Sequence, residues 1–284
     1  MINVIGDIII DEYWHGKTTR LSPEAPVPIV ELLEKHIALG GASNVYSNIK
    51  SLTSNVTLFG LVQKEYLDLF EDKNNLVDVQ KMPVKIRVLS DGHYVTRIDS
   101  EEYMDNKELN NHLFEHNFKE DDIFFLSDYN KGSIRKPQAL IDYLNLKKQR
   151  LIVDPKLSLD NYKNVWILKP NRKEFEDYAG TSDCIKGIKY KAIKIREELN
   201  VENLIITLAS EGVLWISKEG QMHIPTKAKS VYDVTGAGDT FGAVLTYALD
   251  HGYDMDESLI MANQGAAKAI SKQGTYVIQP RDIA

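Results

Sequence analysis

Near the C-terminal end, the stretch Asp233-Val234-Thr235-Gly236-Ala237-Gly238-Asp239-Thr240-Phe241 joins a glycine-rich turn to an apolar run. Two glycines and a small alanine let the backbone turn sharply and leave the space in front of it clear. Phe241, Val244, Leu245 and Ala248 follow at helical spacing, so the turn opens a helix. The N–H groups of a first helical turn lack intrahelical partners, and the helix dipole adds partial positive charge to them. Such a place suits a phosphate or a developing oxyanion. Asp239 is the odd member, because a carboxylate beside an anion site is costly unless it has a task. The natural task is to take a proton from an attacking hydroxyl while the N–H groups of Gly236, Ala237, Gly238 and Asp239 hold a transferring phosphoryl. The plainer reading is an acidic residue in the first turn after a glycine loop. These nine residues alone leave both open.

Outward from that stretch, strand-like and helix-like segments alternate. Strand Val56–Leu61 follows a helix over Gly41–Leu52, and strand Asp122–Ser127 follows a helix near Lys107–His116. Helix Lys136–Leu146 precedes strand Leu151–Asp154, and strand Val165–Leu168 precedes helix Asn171–Ala179. Helix Ile185–Leu199 precedes strand Leu204–Leu208 and the segment Gly212–Ser217, and helices Ala237–Asp250 and Asp256–Ser271 close the pattern. Short apolar strands alternating with helices predict a doubly wound, mostly parallel sheet covered on both faces. Met1 to Ile10 reads as one such strand, nearly all apolar and rich in β-branched residues.

A second pattern interrupts this one. Tyr13–Arg20 and Val27–His36 are strand-like and flank the proline-rich turn Ser22–Pro28, and Lys85–Leu89 with His93–Ile98 form a hairpin across Asp91-Gly92. The two stretches, about 13–37 and 84–98, predict a small antiparallel β sheet beside the main one. There is no repeat, low-complexity tract or linker, so 1–284 reads as one domain with this insertion.

The 284 residues are 43% hydrophobic and 26% charged, ordinary for a globular chain with a substantial core. Acidic residues outnumber basic ones, 41 to 34, which disfavours nucleic acid as a partner. An anionic substrate must therefore be held by local groups. A lone cysteine, Cys184, excludes an internal disulfide and fits a reducing cytoplasm. No run approaches a membrane span, and the acidic N-terminus reads as a strand rather than a signal peptide, so a cytoplasmic location without membrane contact is expected. The seven histidines show no metal-ligand spacing and read as scattered residues. No P-loop, nucleophile elbow or G-x-G-x-x-G after the first strand is present.

Asp233 to Phe241, D-x-T-G-A-G-D-T-F, resembles the second signature of the ribokinase-like (PfkB) carbohydrate kinases, and Gly40-Gly41-Ala42-Ser43-Asn44 resembles the first. One branch is closer still. Gly6-Asp7 with Asp11, then Arg20 to Pro28 (RLSPEAPVP), resemble the kinase of D-glycero-β-D-manno-heptose 7-phosphate. So do Lys85–Ser90 (KIRVLS), Ser127–Gly132 (SDYNKG), Asp154-Pro155-Lys156 and Lys169–Glu174 (KPNRKE). These segments fall in the expected order and cover nearly the whole chain.

The resemblance implies a ribokinase-like fold in which the small sheet is a lid and the surface of a homodimer. It implies an ATP- and Mg²⁺-dependent kinase of a small sugar phosphate, acting at the anomeric hydroxyl, with Asp239 as base and Gly236, Ala237 and Gly238 in the anion hole. Asp7, Asp11, Gly40, Gly41 and Asn44 become sugar contacts. Arg87, Lys131 and Lys156 are candidates for the distal phosphate, Arg87 favoured by the bidentate fit of a guanidinium, and Asp128 would orient Lys131 or a hydroxyl. Asn171 and Glu174 match the N-x-x-E element, Glu174 meeting Mg²⁺ through water, as suits an ion that keeps several waters. Thr207, Ser210 and Gly212 match a loop bordering the nucleotide, and Asn263 the adenine side. Asp233 and Thr235 match positions that serve a monovalent cation, K⁺, behind the anion hole.

The pattern departs from its relatives between strand Val56–Leu61 and Met82-Pro83. A G-x-D-x-x-G element, a full helix and threonines are replaced by a shorter stretch beginning Leu61-Val62-Gln63-Lys64-Glu65. Another sugar or sugar phosphate is therefore the alternative substrate, and a non-catalytic sensor on the same fold the alternative class. The nucleotidyltransferase domain fused to this kinase in some relatives is not expected.

Overall fold

The computed structural model describes residues 1–102, 108–116, 118–226, 231–272 and 274–283. In chain order the strands are β1 (Ile2–Gly6), β2 (Ile8–Leu21), β3 (Pro28–Gly41), β4 (Val56–Val62), β5 (Leu76–Asp78), β6 (Val84–Ser90), β7 (His93–Ser100), β8 (Ile123–Ser127), β9 (Arg150–Asp154), β10 (Ile167–Leu168), β11 (Asn203–Thr207), β12 (Val213–Ser217) and β13 (Gln221–Ile224). The helices are α1 (Ala42–Leu52), α2 (Glu108–Glu115), α3 (Pro137–Leu146), α4 (Arg172–Ala179), α5 (Ile185–Glu198), α6 (Ala237–Asp250) and α7 (Met255–Ala269).

Apolar strands that expose neither face need helices on both, and that requirement shapes the main sheet. Its nine strands run β13-β12-β11-β10-β9-β8-β1-β4-β5, parallel from β10–β11 through to β4–β5, with an antiparallel edge at β11–β12–β13. Ile5, Phe124, Phe125, Ile152, Ile205 and Ile206 are wholly buried in it. Each such side chain contributes about 2 kcal/mol by leaving water. From β1 the chain builds outward in both directions, so the order reverses between β1 and β8. Ligands of open α/β sheets sit beyond the strand ends at such a reversal. There Gly6 closes β1 against β8 so tightly that a Cβ would stand 2.0 Å from the Ser127 carbonyl oxygen.

The expected single strand Met1–Ile10 is two strands in two sheets. The run bends at Asp7, whose carbonyl accepts the Ala42 N–H at 2.9 Å, and Ile8 onward departs into the lid. Only Gly6-Asp7 marks the bend, and the apolar run continues past it because Ile8, Ile9 and Ile10 remain buried.

The lid is the four-stranded sheet β3-β2-β6-β7. It was expected to be antiparallel, and its outer pairs are, but the central pair β2–β6 is parallel. The chain leaves the lid after β3 and passes through α1, β4 and β5. It therefore re-enters along β2 in the same direction. The shortened stretch after β4 forms a 3-10 helix over Lys64–Leu69 and the strand β5, and the Tyr66 hydroxyl donates to Glu12 on β2 at 2.8 Å. Of the helix expected near Lys107–His116, Lys107 lies outside the described residues and α2 begins at Glu108. Edge strands β5 and β13 were not anticipated. Both are short and mostly half-exposed, and lack a full apolar run.

Candidate active site

Glycine 236 opens α6 in the left-handed region, φ +74°, and a Cβ there would come within 2.6 Å of the Asn44 amide nitrogen. No side chain caps the helix. Its first-turn N–H groups at Gly238 and Asp239 find no acceptor among the described residues, while that of Ala237 reaches the Val234 carbonyl at 3.3 Å. The start of α6 thus leaves two first-turn donors open, the condition an anion site requires.

Asp239 stands in its first turn, 4% exposed. One oxygen accepts from Asn44 Nδ2 at 2.9 Å, the other from the Tyr129 hydroxyl at 2.8 Å. Burial raises its pKa above the ordinary aspartate value; these two bonds and the Lys169 charge pull the other way. A carboxylate that resists ionisation, yet is oriented on both oxygens, is poised to hold a proton transiently. The Tyr129 phenol is itself pushed well above its usual value by burial and by Asp239, so it stays a donor.

Beneath that turn lies a second charged group. Lys169 follows β10, its side chain 2% exposed, and its ammonium pairs with Asp154, the last residue of β9, at 2.9 Å. Burial pushes Asp154 up to about 7 against the pull of Lys169, with Glu174 and Asp239 adding to the rise. Tyr129, Asp154 and Lys169 were not singled out from sequence. They sit just at or past the ends of the adjacent parallel strands β8, β9 and β10, where polar residues following apolar runs were the available signal.

Among the residues expected at the sugar, Asp11, 4% exposed, pairs with Arg87 across the lid pair β2–β6. The Arg87 guanidinium also lies over the Tyr13 ring. Gly40 is required by that pair, since a Cβ would fall 2.6 Å from Asp11 Oδ2. Gly41, φ +58°, packs on the Asp7 carbonyl. Asp7 is fully buried, and its carboxylate accepts N–H groups from Tyr129, Lys131 and Ser133 at 2.9 to 3.0 Å. Its visible task is to shape the loop that presents Tyr129. Asp128 likewise accepts from Asn130 N–H and from the buried Tyr162 hydroxyl, both at 2.7 Å. Burial pushes Asp128 up to about 6.

Each of the three cations expected at a distal phosphate has an acidic partner. Arg87 is engaged by Asp11; Lys131 reaches Glu101 at 2.7 Å, with Lys85 on the same carboxylate at 3.6 Å. Lys156 lies 3.5 Å from Glu174. A cavity of about 360 Å³ opens between the lid and the Gly274-Thr275 loop, lined by Tyr13, His15, Glu34 and His36. His15 and His36 meet edge to face there, 5.4 Å apart, so these two histidines are not scattered.

Among the residues expected at the nucleotide, Asn171 and Glu174 form a reciprocal capping box at the start of α4, both bonds 2.9 Å. Thr207 bridges to Asn171. Gly212 packs where a Cβ would meet the Ile224 carbonyl, and Asn263 on α7 donates to the next carbonyl, Pro225, at 2.9 Å. Gly212 and Asn263 therefore frame one edge, while Ser210 faces solvent on its turn. Behind the anion site, Asp233 accepts from Thr235 N–H at 2.9 Å and Gly274 N–H at 3.0 Å. Burial pushes its carboxyl up, but these bonds and the Arg87 charge outweigh that and hold it below the usual range.

The sequence profile described as pfkB family carbohydrate kinase matches residues 1–282. The chain belongs to that family. It is 38% identical over 99% of its length to the bifunctional protein HldE of Chromohalobacter salexigens, and 35% identical over 99% to HldE of Haemophilus influenzae strain PittEE. It spans 62% of each of these curated relatives. Among solved structures, phosphofructokinase-2 from Escherichia coli in complex with potassium superposes with a TM-score of 0.82 at 17% identity. That match covers 100% of this chain and 96% of the other. Ribokinase from Thermotoga maritima superposes at 0.76 and 21% identity, covering 99% and 97%. These two likenesses establish the ribokinase-like fold. As a member of the pfkB family, the chain is a carbohydrate kinase, and the open turn of α6 with Asp239 is its candidate site of phosphoryl transfer.

Proposed function

We propose that this kinase transfers the γ-phosphoryl of ATP to the anomeric C1 hydroxyl of D-glycero-β-D-manno-heptose 7-phosphate, yielding the 1,7-bisphosphate for activated-heptose and surface-glycan synthesis in the cytoplasm. The observation that carries the reaction is the buried Asp239, held by Asn44 and Tyr129 at the uncapped start of α6. The choice of sugar rests on the HldE relatives and on the Arg20–Pro28 stretch.

Asp239 takes the proton of the C1 hydroxyl. The Gly238 and Asp239 N–H groups receive the phosphoryl oxygens, and Asp11, Asn44 and the Gly40-Gly41 backbone meet the sugar hydroxyls. Asp7 positions the Tyr129–Ser133 loop. Lys131, with Lys85, is placed for the distal phosphate better than Lys156, which sits with Glu174. The carboxylates of Glu174 and Asp154 suit Mg²⁺. Such an ion is bound chiefly through water and substrate phosphates, with one or two carboxylates. Mg²⁺ supplies charge neutralisation on the polyphosphate. Asp233 would serve a K⁺ ion behind the anion site. Leu32, Leu33 and Ile37 on β3 and Tyr94, Val95 and Ile98 on β7 leave the lid with exposed apolar surface, which supports a homodimer formed through it.

The shortened segment after β4 favours one second reading, a kinase of another sugar phosphate. Screening a panel of sugar phosphates for ADP release separates the two. Turnover confined to heptose 7-phosphate supports the first reading, and preference for a pentose or hexose phosphate replaces it with the second.

A further inference from the structure

The lid carries a polar patch that the transfer step leaves unused. Side chains alternate along a strand, so Asp11, Tyr13 and His15 share one face of β2. Ala38, His36 and Glu34 stand directly opposite them on β3 and extend the same face. Asp11 holds Arg87 at the buried end of this face, and the Arg87 guanidinium lies over the Tyr13 ring. His15, His36 and Glu34 continue it outward and line the cavity of about 360 Å³. Small-ligand sites occupy about 300–1,000 Å³. The opposite wall joins this cavity to the transfer turn: Thr275 lines it, and Thr275 Cγ2 lies 3.4 Å from where a Gly236 Cβ would stand.

The chemistry of the patch selects among ligands. A neutral imidazole has one donor and one acceptor nitrogen, and a hydroxyl likewise donates and accepts. His36 Nε2 meets Glu34 Oε1 at 3.0 Å, while the His15 nitrogens have no hydrogen-bond partner among the described residues. The Glu34 carboxylate repels a phosphate but accepts from hydroxyls. Lys85 lies on β6, across β2 from β3. A phosphate-bearing arm directed to Lys85 and Lys131 therefore leaves the other edge of a sugar for the two histidines.

We propose that His15, His36 and Glu34 are specificity-determining residues that bind ring hydroxyls of the acceptor sugar, on the edge turned away from its phosphate. This role rests on the kinase reading above and adds where the choice between sugars is made. None of the three touches a reacting atom, so their loss weakens sugar recognition without slowing transfer from a bound sugar.

The test pairs protein variants with sugar variants. Calorimetry and steady-state kinetics compare wild type, His15→Ala and His36→Ala on D-glycero-β-D-manno-heptose 7-phosphate and its 2-, 3- and 4-deoxy analogues. If a panel shows preference for another sugar phosphate, the deoxy series is made on that sugar. On the intact sugar each variant should weaken binding and raise KM about three- to tenfold, the scale of one lost hydrogen bond, with kcat and the KM for ATP within about twofold. For one deoxy analogue each variant should bind as wild type does, since the hydroxyl and its partner are then lost together. His36→Gln, which keeps a donor and an acceptor, should recover most of the affinity. Equal losses on the intact sugar and on every deoxy analogue would make the histidines structural and overturn the proposal, as would an unchanged KM for sugar. The two readings fail separately. Coupled binding without ADP formation would sink the kinase reading and keep this one, and ADP formation with uncoupled losses would do the reverse. Wild-type protein that bound no sugar phosphate would overturn both.

Discussion

Two helices begin at the candidate active site, and they begin differently. The start of α4 is closed upon itself: Asn171 accepts from the Glu174 N–H, and Glu174 accepts from the Asn171 N–H. The start of α6 has a glycine in the left-handed region and no side chain over its first turn. Both carry an acidic residue in the first turn. The acidic residue at α4 caps its own helix, whereas Asp239 is turned aside to Asn44 and Tyr129, leaving the N–H groups free. A helix start that satisfies itself contributes to stability, and one held open by neighbours can bind an anion.

Substitutions at the two starts should therefore separate activity from stability. The largest effect is expected for Asp239→Asn, where steady-state assays should show kcat reduced about 10²- to 10⁴-fold, the range spanned by general base catalysis. Thermal melting should change little, since the fold loses only a charge that burial already opposes. Near-normal kcat in this variant would remove Asp239 from the base role. Next is Gly236→Ala. It forces a Cβ into the left-handed region and against the Asn44 amide, costing about 1–2 kcal/mol by denaturant titration and roughly tenfold to a hundredfold in kcat through misplacement.

Tyr129→Phe should act through pH. Asp239 works as the carboxylate, so activity is lost as pH falls through its raised pKa. The Tyr129 bond favours the charged form, and removing it raises that pKa further. The acid limb of the kcat profile should move up by about one unit, roughly 1.4 kcal/mol for a bond to a charged group, with the plateau largely kept. An acid limb that stays put would show that Tyr129 does not tune the base. The smallest effect belongs to the closed start, where Asn171→Ala should cost about 1 kcal/mol of stability by chemical denaturation and less of kcat than any change at α6. A larger kinetic than stability effect there would erase the contrast between the two helices.

The glycine turn and the alternating strands were legible because each is a local pattern with a local cause. The break at Asp7 was not, since Ile8-Ile9-Ile10 continues an apolar run and only the distant loop 129–133 draws the carboxylate inward. The parallel pair β2–β6 follows from chain path, which no local pattern encodes. Tyr129, Asp154 and Lys169 escaped for the same reason: they are far apart in sequence and meet because β8, β9 and β10 are neighbours. The acidic partners of Arg87 and Lys156, Asp11 and Glu174, become visible only in the folded chain.

The most direct measurement is phosphorus NMR of the protein incubated with ATP, Mg²⁺, K⁺ and D-glycero-β-D-manno-heptose 7-phosphate. The account predicts a new phosphate signal coupled to the anomeric proton, appearing in step with ADP and absent with Asp239→Asn. ADP formed without that signal, or the same signal from Asp239→Asn at the wild-type rate, would contradict it.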